Sequence, residues 1–202
     1  MFKRNDRAAR SERMDEKTKA RIMDASKIRR VLARMATEII ERNRNLKGII
    51  IVGVKTRGIT IGKRLAHLVK ELEGVEVPVG VLDISRYRDD VPTTPGSGAR
   101  KTAELGFSVV KKDVLLVDDV LMTGRTIRAA MDALIDRGRP QSIQLVVLID
   151  RGHRELPIRP DYVGKTLPTS RRETVRVRLK EMDGLDEVLI AEPARPAGRA
   201  KR

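Results

Sequence analysis

Two adjacent carboxylates, Asp118 and Asp119, follow the apolar run Val114 to Val117, and the polar turn Thr123-Gly124-Arg125-Thr126 comes four residues later. Acids at a strand end are suited to accepting hydrogen bonds from vicinal hydroxyls, such as those of a ribose. Free backbone N–H groups at a helix start, with the helix dipole behind them, form a ready anion site. In that turn Gly124 lets the backbone approach a ligand closely, and Thr123 and Thr126 add hydroxyl donors. Together the 13 residues from Val114 to Thr126 read as a place that holds a sugar and a phosphate at once. Two plainer alternatives are solvated acids beside a Thr cap, or acids that hold Mg²⁺ for phosphoryl transfer in a receiver-like fold. The Thr-Gly-Arg-Thr turn counts against both, and no G-x-x-x-x-G-K-[ST] phosphate loop occurs.

A second group, Lys55-Thr56-Arg57-Gly58, ends the apolar stretch Gly48 to Val54. Thr56 and Gly58 supply backbone donors at another helix start, and Lys55 and Arg57 supply the positive charge that suits a pyrophosphate. A third is the stretch from Arg86 to Gly106, rich in Pro, Gly, Thr and charge, which reads as a long loop able to close over a bound anion. Tyr87, Arg88 and Arg100 are its candidates for that role. His153 stands alone in a loop and reads as structural rather than catalytic.

The elements that must position these groups are legible from periodicity. Lys27 to Asn43 and Gly58 to Glu73 carry apolar residues at helical spacing, and residues 125–137 read as a third helix. Gly48 to Val54, Val75 to Ile84, residues 114–118 and Ser142 to Asp150 read as strands, the first as one buried on both faces. Strands and helices in alternation predict an α/β fold: an open, mostly parallel sheet with flanking helices. In such sheets ligands bind outside the carboxyl ends of the strands, where both charged groups fall. Residues 151–192, with Pro-marked turns and an Asp183-Gly184 hairpin signal, read as a small C-terminal hood. The expected organisation is a basic, flexible extension over 1–26, one domain over 27–192 that includes the hood, and a basic tail over 193–202.

Composition limits the chemistry. The 202 residues are enough for one sizeable domain, and 2% aromatic content requires an aliphatic core. With no cysteine there is neither a disulfide nor thiolate chemistry, and His67 and His153 alone cannot make a structural zinc site. No apolar segment is long enough to cross a bilayer, so no membrane partner and a cytoplasmic location are expected. The net charge is +15 but uneven: residues 1–30 hold 11 Lys/Arg against 5 Asp/Glu, and residues 195–202 add four basic residues and no acid. Such a distribution suits a polyanion, and equally a solubilising pair of tails.

The stretch VLLVDDVLMTGRT is similar to the phosphoribosyl-pyrophosphate (PRPP) motif of the type I phosphoribosyltransferases. With GVKTRG, LDISRYRDD, DALIDRGRP, IQLVVLIDRGHRELPIRPDYVGK and PTS, the chain from about Ile28 to about Val188 resembles the PyrR family. These are pyrimidine-operon attenuation regulators that also act as uracil phosphoribosyltransferases. The resemblance implies a type I phosphoribosyltransferase fold and a homo-oligomer. It implies PRPP, uracil and UMP/UTP as ligands, with Mg²⁺ held mostly through PRPP and no dedicated protein metal site. Lys55, Thr56 and Arg57 would form the pyrophosphate loop, and Asp118, Asp119, Val120, Leu121, Met122, Thr123, Gly124, Arg125 and Thr126 the PRPP motif. Asp118, Asp119, Arg57 and Arg100 would carry catalysis, with Arg151 and the backbone near Val175 beside the base and nucleotide. Arg30, Arg34, Arg154 and Arg159 would bind an mRNA leader stem-loop. Two departures from the family pattern stand out: Arg86 replaces an apolar residue, and Ala33 and Thr37 replace a hydroxyl and an imidazole. The alternatives are a phosphoribosyltransferase with no RNA role, and an RNA regulator with a vestigial site.

Overall fold

The computed structural model describes residues 16–84 and 105–193. In chain order the elements are β1 (Glu16–Met23), α1 (Ala25–Arg42), a 3₁₀ turn (Leu46–Gly48), β2 (Ile49–Val54), α2 (Arg57–Glu73) and β3 (Val79–Leu82). After residues 85–104 come β4 (Asp113–Leu121), α3 (Arg125–Ile135), β5 (Ser142–Asp150), β6 (Tyr162–Thr166), β7 (Thr174–Arg178), α4 (Lys180–Asp183) and β8 (Glu187–Pro193). The described residues fall into two compact units, residues 26–84 with 105–168, and residues 16–25 with 169–193.

The larger unit is a five-stranded parallel sheet in the order β3-β2-β4-β5-β6. Every residue of β2 is buried, as a continuous Ile-Ile-Ile-Val-Gly-Val run requires when helices cover both faces. Alternation along β2 divides the two faces. Ile50, Val52 and Val54 share an aliphatic core with Leu116, Leu121 and the α3 residues Ile127, Ala130 and Leu134. Ile51 points the other way, toward Gly62 of α2. Gly62 lies so close that an added Cβ would meet the Ile51 Cγ2 at 2.8 Å. Helix α1 lies on β6, where a Cβ on Gly164 would meet Val31 Cγ1 at 2.9 Å. Arg34 of α1 donates to the carbonyls of Val163 and Gly164, both at 2.8 Å, and so satisfies acceptors along the edge strand. At the other end of the same contact lies a closed, half-buried polar ring. Asn43 donates to the Tyr162 hydroxyl at 2.8 Å, Tyr162 to Gln144 at 2.7 Å, and Gln144 back to Asn43 at 2.9 Å.

The smaller unit is a three-stranded antiparallel sheet in the order β1-β8-β7. Here the structure moves two boundaries. Residues 16–23, expected to belong to a flexible extension, form a strand paired with β8 from Glu16 opposite Pro193 to Met23 opposite Val188. The sequence EKTKARIM hides it, because four of its eight residues are charged and its side chains from Lys17 to Arg21 are exposed. The ladder with the apolar strand β8, rather than burial of its own face, holds it in place. The expected hood also divides differently: residues 151–168 belong with the parallel sheet, to which they contribute β6, and its remainder pairs with β1. Strands β7 and β8 are antiparallel neighbours, as the Asp183-Gly184 signal implied. They are joined through the short helix α4, capped by Gly184 at φ 78°, instead of a two-residue turn.

Candidate functional site

Strands β2 and β4 are neighbours, so the loops after them meet at the carboxyl edge of the sheet. The approach is close. A Cβ on Gly58, at the start of α2, would sit 2.3 Å from the Val117 carbonyl oxygen and 3.3 Å from the Asp118 Cα. The absence of a side chain at this position thus lets residues 55–58 lie against the strand end that carries the acids. In this loop the Lys55–Thr56 peptide is cis, and the Lys55 N–H donates to the Leu82 carbonyl at 3.0 Å. The Lys55 ammonium pairs with Asp83, just past β3, at 3.1 Å.

Strand β4 continues through both acids to Leu121, three residues further than periodicity suggests. Asp118 is therefore 7% exposed. One of its oxygens accepts the Asp119 N–H at 2.9 Å, and Asp119 in turn accepts the Val120 N–H at 3.0 Å. Burial pushes the Asp118 carboxyl well above the usual carboxylate range, and the neighbouring Asp119 charge adds to it. Burial also raises Asp119, against the opposing pull of the Arg57 guanidinium. The pair is short of stabilising donors, and vicinal hydroxyls are donors of the right kind.

The turn that follows is a cradle of main chain. Gly124 sits at φ 91°, in the left-handed region, and caps α3. Thr123 Oγ1 accepts the Arg125 N–H at 3.2 Å, and the Arg128 N–H closes on the Gly124 carbonyl at 2.9 Å. From the side the cradle is braced by residues 150–158. The N–H groups of Glu155 and Leu156 both donate to the Thr123 carbonyl, at 3.0 and 3.1 Å. Arg125 pairs with Glu155 at 2.7 Å, and Arg154 donates to the Met122 carbonyl at 2.9 Å. Arg151, beside the cradle, is a buried cation, 6% exposed, and its main-chain N–H donates to the Leu121 carbonyl at 3.0 Å. Among the described residues no three His, Asp or Glu side chains converge on a metal position.

The profile of the phosphoribosyl transferase domain matches residues 19–181. The bifunctional protein PyrR of Pelotomaculum thermopropionicum is 56% identical over 176 residues, covering 87% of this chain and 97% of that relative. That of Deinococcus radiodurans is 55% identical over 175 residues, with coverage of 87% and 96%. The chain belongs to the PyrR family. The family is a branch of a wider fold. The hypoxanthine phosphoribosyltransferase of Trypanosoma cruzi superposes with a TM-score of 0.67 at 19% identity, over 87% of this chain and 98% of that one. At that identity the likeness is one of architecture.

Within the PyrR-family frame, the larger unit brings together Lys55, Thr56, Arg57, residues 118–126 and Arg151 at one edge of the sheet. Arg100, with Arg86, Tyr87 and Arg88, lies outside the described residues. Val175 belongs to the smaller unit, where it is buried in β7 opposite Ile190. The four arginines expected at RNA differ in what holds them. Arg30 is exposed and bonded to Ser26 Oγ at 3.0 Å, while Arg159 is exposed with no hydrogen-bond partner among the described residues. Arg34 is tied to β6, and Arg154 is turned inward. Sequence reasoning missed Asp83 and Glu155 as partners of the site. Each stands in a stretch already noted, LDISRYRDD and RGHRELPIR, but nothing short of the fold pairs them with Lys55 and Arg125. No described helix is long and apolar enough to cross a membrane.

Proposed function

We propose that the chain transfers a phosphoribosyl group from PRPP to uracil, giving UMP and pyrophosphate, and that it binds a pyrimidine-gene mRNA leader stem-loop in response to UMP or UTP. The observation that carries the first half is the buried Asp118 and its half-buried neighbour Asp119, set against the left-handed Gly124 turn, with the Lys55–Gly58 loop close by. N1 of uracil forms a bond to C1 of the ribose as the C1–O bond to pyrophosphate breaks, and the uracil proton is lost to solvent. The sugar passes through an oxocarbenium-like state, so the carboxylates serve twice. They accept the ribose hydroxyls and they favour the developing positive charge. Main-chain donors from Thr123 to Thr126 take the 5′-phosphate, and Lys55 and Arg57 receive the charge of the departing pyrophosphate. Of the other residues that family resemblance implies, Arg151 serves the nucleotide, Val175 the base and Arg100 the pyrophosphate. Mg²⁺ held mostly through PRPP would add further neutralisation of the leaving group. Two adjacent acids, with no third His, Asp or Glu converging on them among the described residues, fit that arrangement better than a protein-built metal cage.

The second half rests on family membership and on the basic α1 face. Arg30 and Arg159 are exposed cations free to meet phosphates, and stem-loops are read largely through shape and phosphate contacts. UMP occupancy and RNA affinity are then linked, each altering the other by the same factor. We place the protein in the cytoplasm as a homo-oligomer. Two measurements test the reading. Uracil-dependent release of pyrophosphate from PRPP must be present and must fall at least a hundredfold in Asp119→Asn, on the order of an electrostatic stabiliser's share. A titration of the organism's own pyrimidine leader RNA must tighten with UMP, and an affinity equal for leader and random RNA would remove the regulatory half.

A further inference from the structure

The side chain of Arg154 is spent inside the protein. Its Nε donates to the Ile158 carbonyl at 2.8 Å, and one terminal nitrogen donates to the carbonyls of Met122 and Gly152 at 2.9 and 3.4 Å. The other reaches the Asp150 carboxylate at 2.6 Å. That set uses four of the five N–H donors a guanidinium has and leaves little with which to grip a phosphate. The side chain is also part-buried, 22% exposed, unlike the open Arg159 five residues on.

What Arg154 joins is informative. Three of its acceptors, Asp150, Gly152 and Ile158, lie at intervals along one segment, and the fourth, Met122, opens the phosphate cradle. The same segment donates to the Thr123 carbonyl through Glu155 and Leu156, and pairs Glu155 with Arg125. Packing adds to this: a Cβ on Gly124 would touch Leu156 and Ile158 at 3.4 Å. Immediately before Arg154 the chain passes through two consecutive left-handed residues, Gly152 at φ 76° and His153 at φ 61°. A non-glycine residue there persists when surrounding contacts over-determine it, and the Arg154 bonds on both sides do so. Immediately after the segment comes Arg159.

Resting on the function proposed above, we infer that Arg154 is a positioning residue that couples the phosphate cradle to the RNA-facing surface, and is not itself a phosphate contact. A ligand that fixes residues 122–126 fixes residues 150–158 through these bonds, and with them the approach to Arg159. The coupling has a physical carrier, a contiguous hydrogen-bonded segment, as linkage between sites requires.

The distinction can be read as a ratio. RNA affinity of the full chain for its own pyrimidine leader is measured with and without saturating UMP, for wild type, Arg154→Gln, Arg154→Lys, Glu155→Gln and Arg159→Gln. Wild type tightens by a factor in the range of about 5–150, typical of coupled sites. Arg159→Gln weakens both affinities and keeps the factor. Arg154→Gln takes the factor toward one, and Arg154→Lys, which keeps the charge but not the fork, fails to restore it. Glu155→Gln, exposed and therefore tolerated, lowers the factor even if Arg154→Gln does not fold. A wild-type factor of one refutes the regulatory reading itself. A normal wild-type factor that survives in both Arg154→Gln and Glu155→Gln, with affinities uniformly reduced, overturns this inference alone.

Discussion

Gly58→Ala probes the closeness of the two loops on which the site depends. The new Cβ would lie 2.3 Å from the Val117 carbonyl oxygen, and the second and third nearest atoms, at 3.2 and 3.3 Å, are also main chain. An ordinary van der Waals contact needs about 3.4 Å, so one partner must withdraw by about 1 Å. Neither moves cheaply. Val117 is held between Gly53 of β2 and Val146 of β5, and Gly58 opens a 17-residue helix whose buried face is already packed. Overpacking costs up to about 3 kcal/mol, and with main chain on both sides the upper end applies. For a chain of this size that lowers Tm by roughly 6–12 °C. The displacement falls between Arg57 and Asp118-Asp119, and a misplacement of about 1 Å costs on the order of a hundredfold in rate. Thermal unfolding followed by kcat/KM for UMP synthesis measures both. Gly62→Ala is the comparison, since its Cβ meets the Ile51 Cγ2 at 2.8 Å, a buried side chain rather than main chain. It should be the milder of the two, because a helical Gly→Ala gain of about 1 kcal/mol offsets part of the clash. If Gly58→Ala is as mild as Gly62→Ala in both readouts, the argument from close approach is wrong.

Asp118→Asn should raise the ligand-free Tm at pH 7 while abolishing turnover. A carboxyl raised by burial contributes stability that is present below its unfolded value and is lost as pH rises through the folded one, so the wild-type Tm declines over that window and the variant's declines less. Gly124→Ala forces a Cβ onto φ 91°, which costs about 1–2 kcal/mol, and should raise the KM for PRPP by disturbing the cradle; an unchanged KM would count against its phosphate role. Tyr162→Phe removes the hydroxyl from the half-buried Asn43–Tyr162–Gln144 ring and should cost about 1 kcal/mol by urea denaturation, with UMP synthesis unaffected.

What could be read from the chain follows from how local its causes are. The unbroken Ile49–Val54 run and the helical spacing of Ile61, Leu65, Leu68 and Leu72 mark β2 and α2 within a residue or two, although Val69 completes the buried face and Leu72 is exposed. The acids and the Thr-Gly-Arg-Thr turn are legible for the same reason, since strand, carboxylates and cap are contiguous. Strand β1 is not, because its partner is 165 or more residues away and its own side chains advertise a solvated tail. Strand β3 is shorter than its apolar pattern suggests, and Pro78, lacking an N–H, comes immediately before it. The brace from Arg154 and Glu155 was hidden by the residue types themselves. Arginines near a proposed nucleic-acid surface read as phosphate contacts, and only the fold shows one of them bonded to main-chain carbonyls instead.

The site holds the chain's least comfortable residues side by side, and that discomfort has a direction. Burial raises both carboxyls, and the hydrogen bonds they accept from the Asp119 and Val120 N–H groups reduce the shift without removing it. A ligand that brings two hydroxyl donors favours the ionised form of the pair, so binding expels whatever proton the empty site retains. A ligand of opposite demand, with acceptors facing the acids, would deepen the penalty. Ribose affinity must therefore strengthen as pH rises through the raised carboxyl range and level off above it, whereas the 5′-phosphate contacts proposed for the main-chain N–H groups from Thr123 to Thr126 have no titrating partner of their own. The two halves of the ligand are thus separable by pH. Ribose 5-phosphate should gain affinity over that range, and an alkyl phosphate lacking the vicinal hydroxyls should gain only what its own ionisation brings.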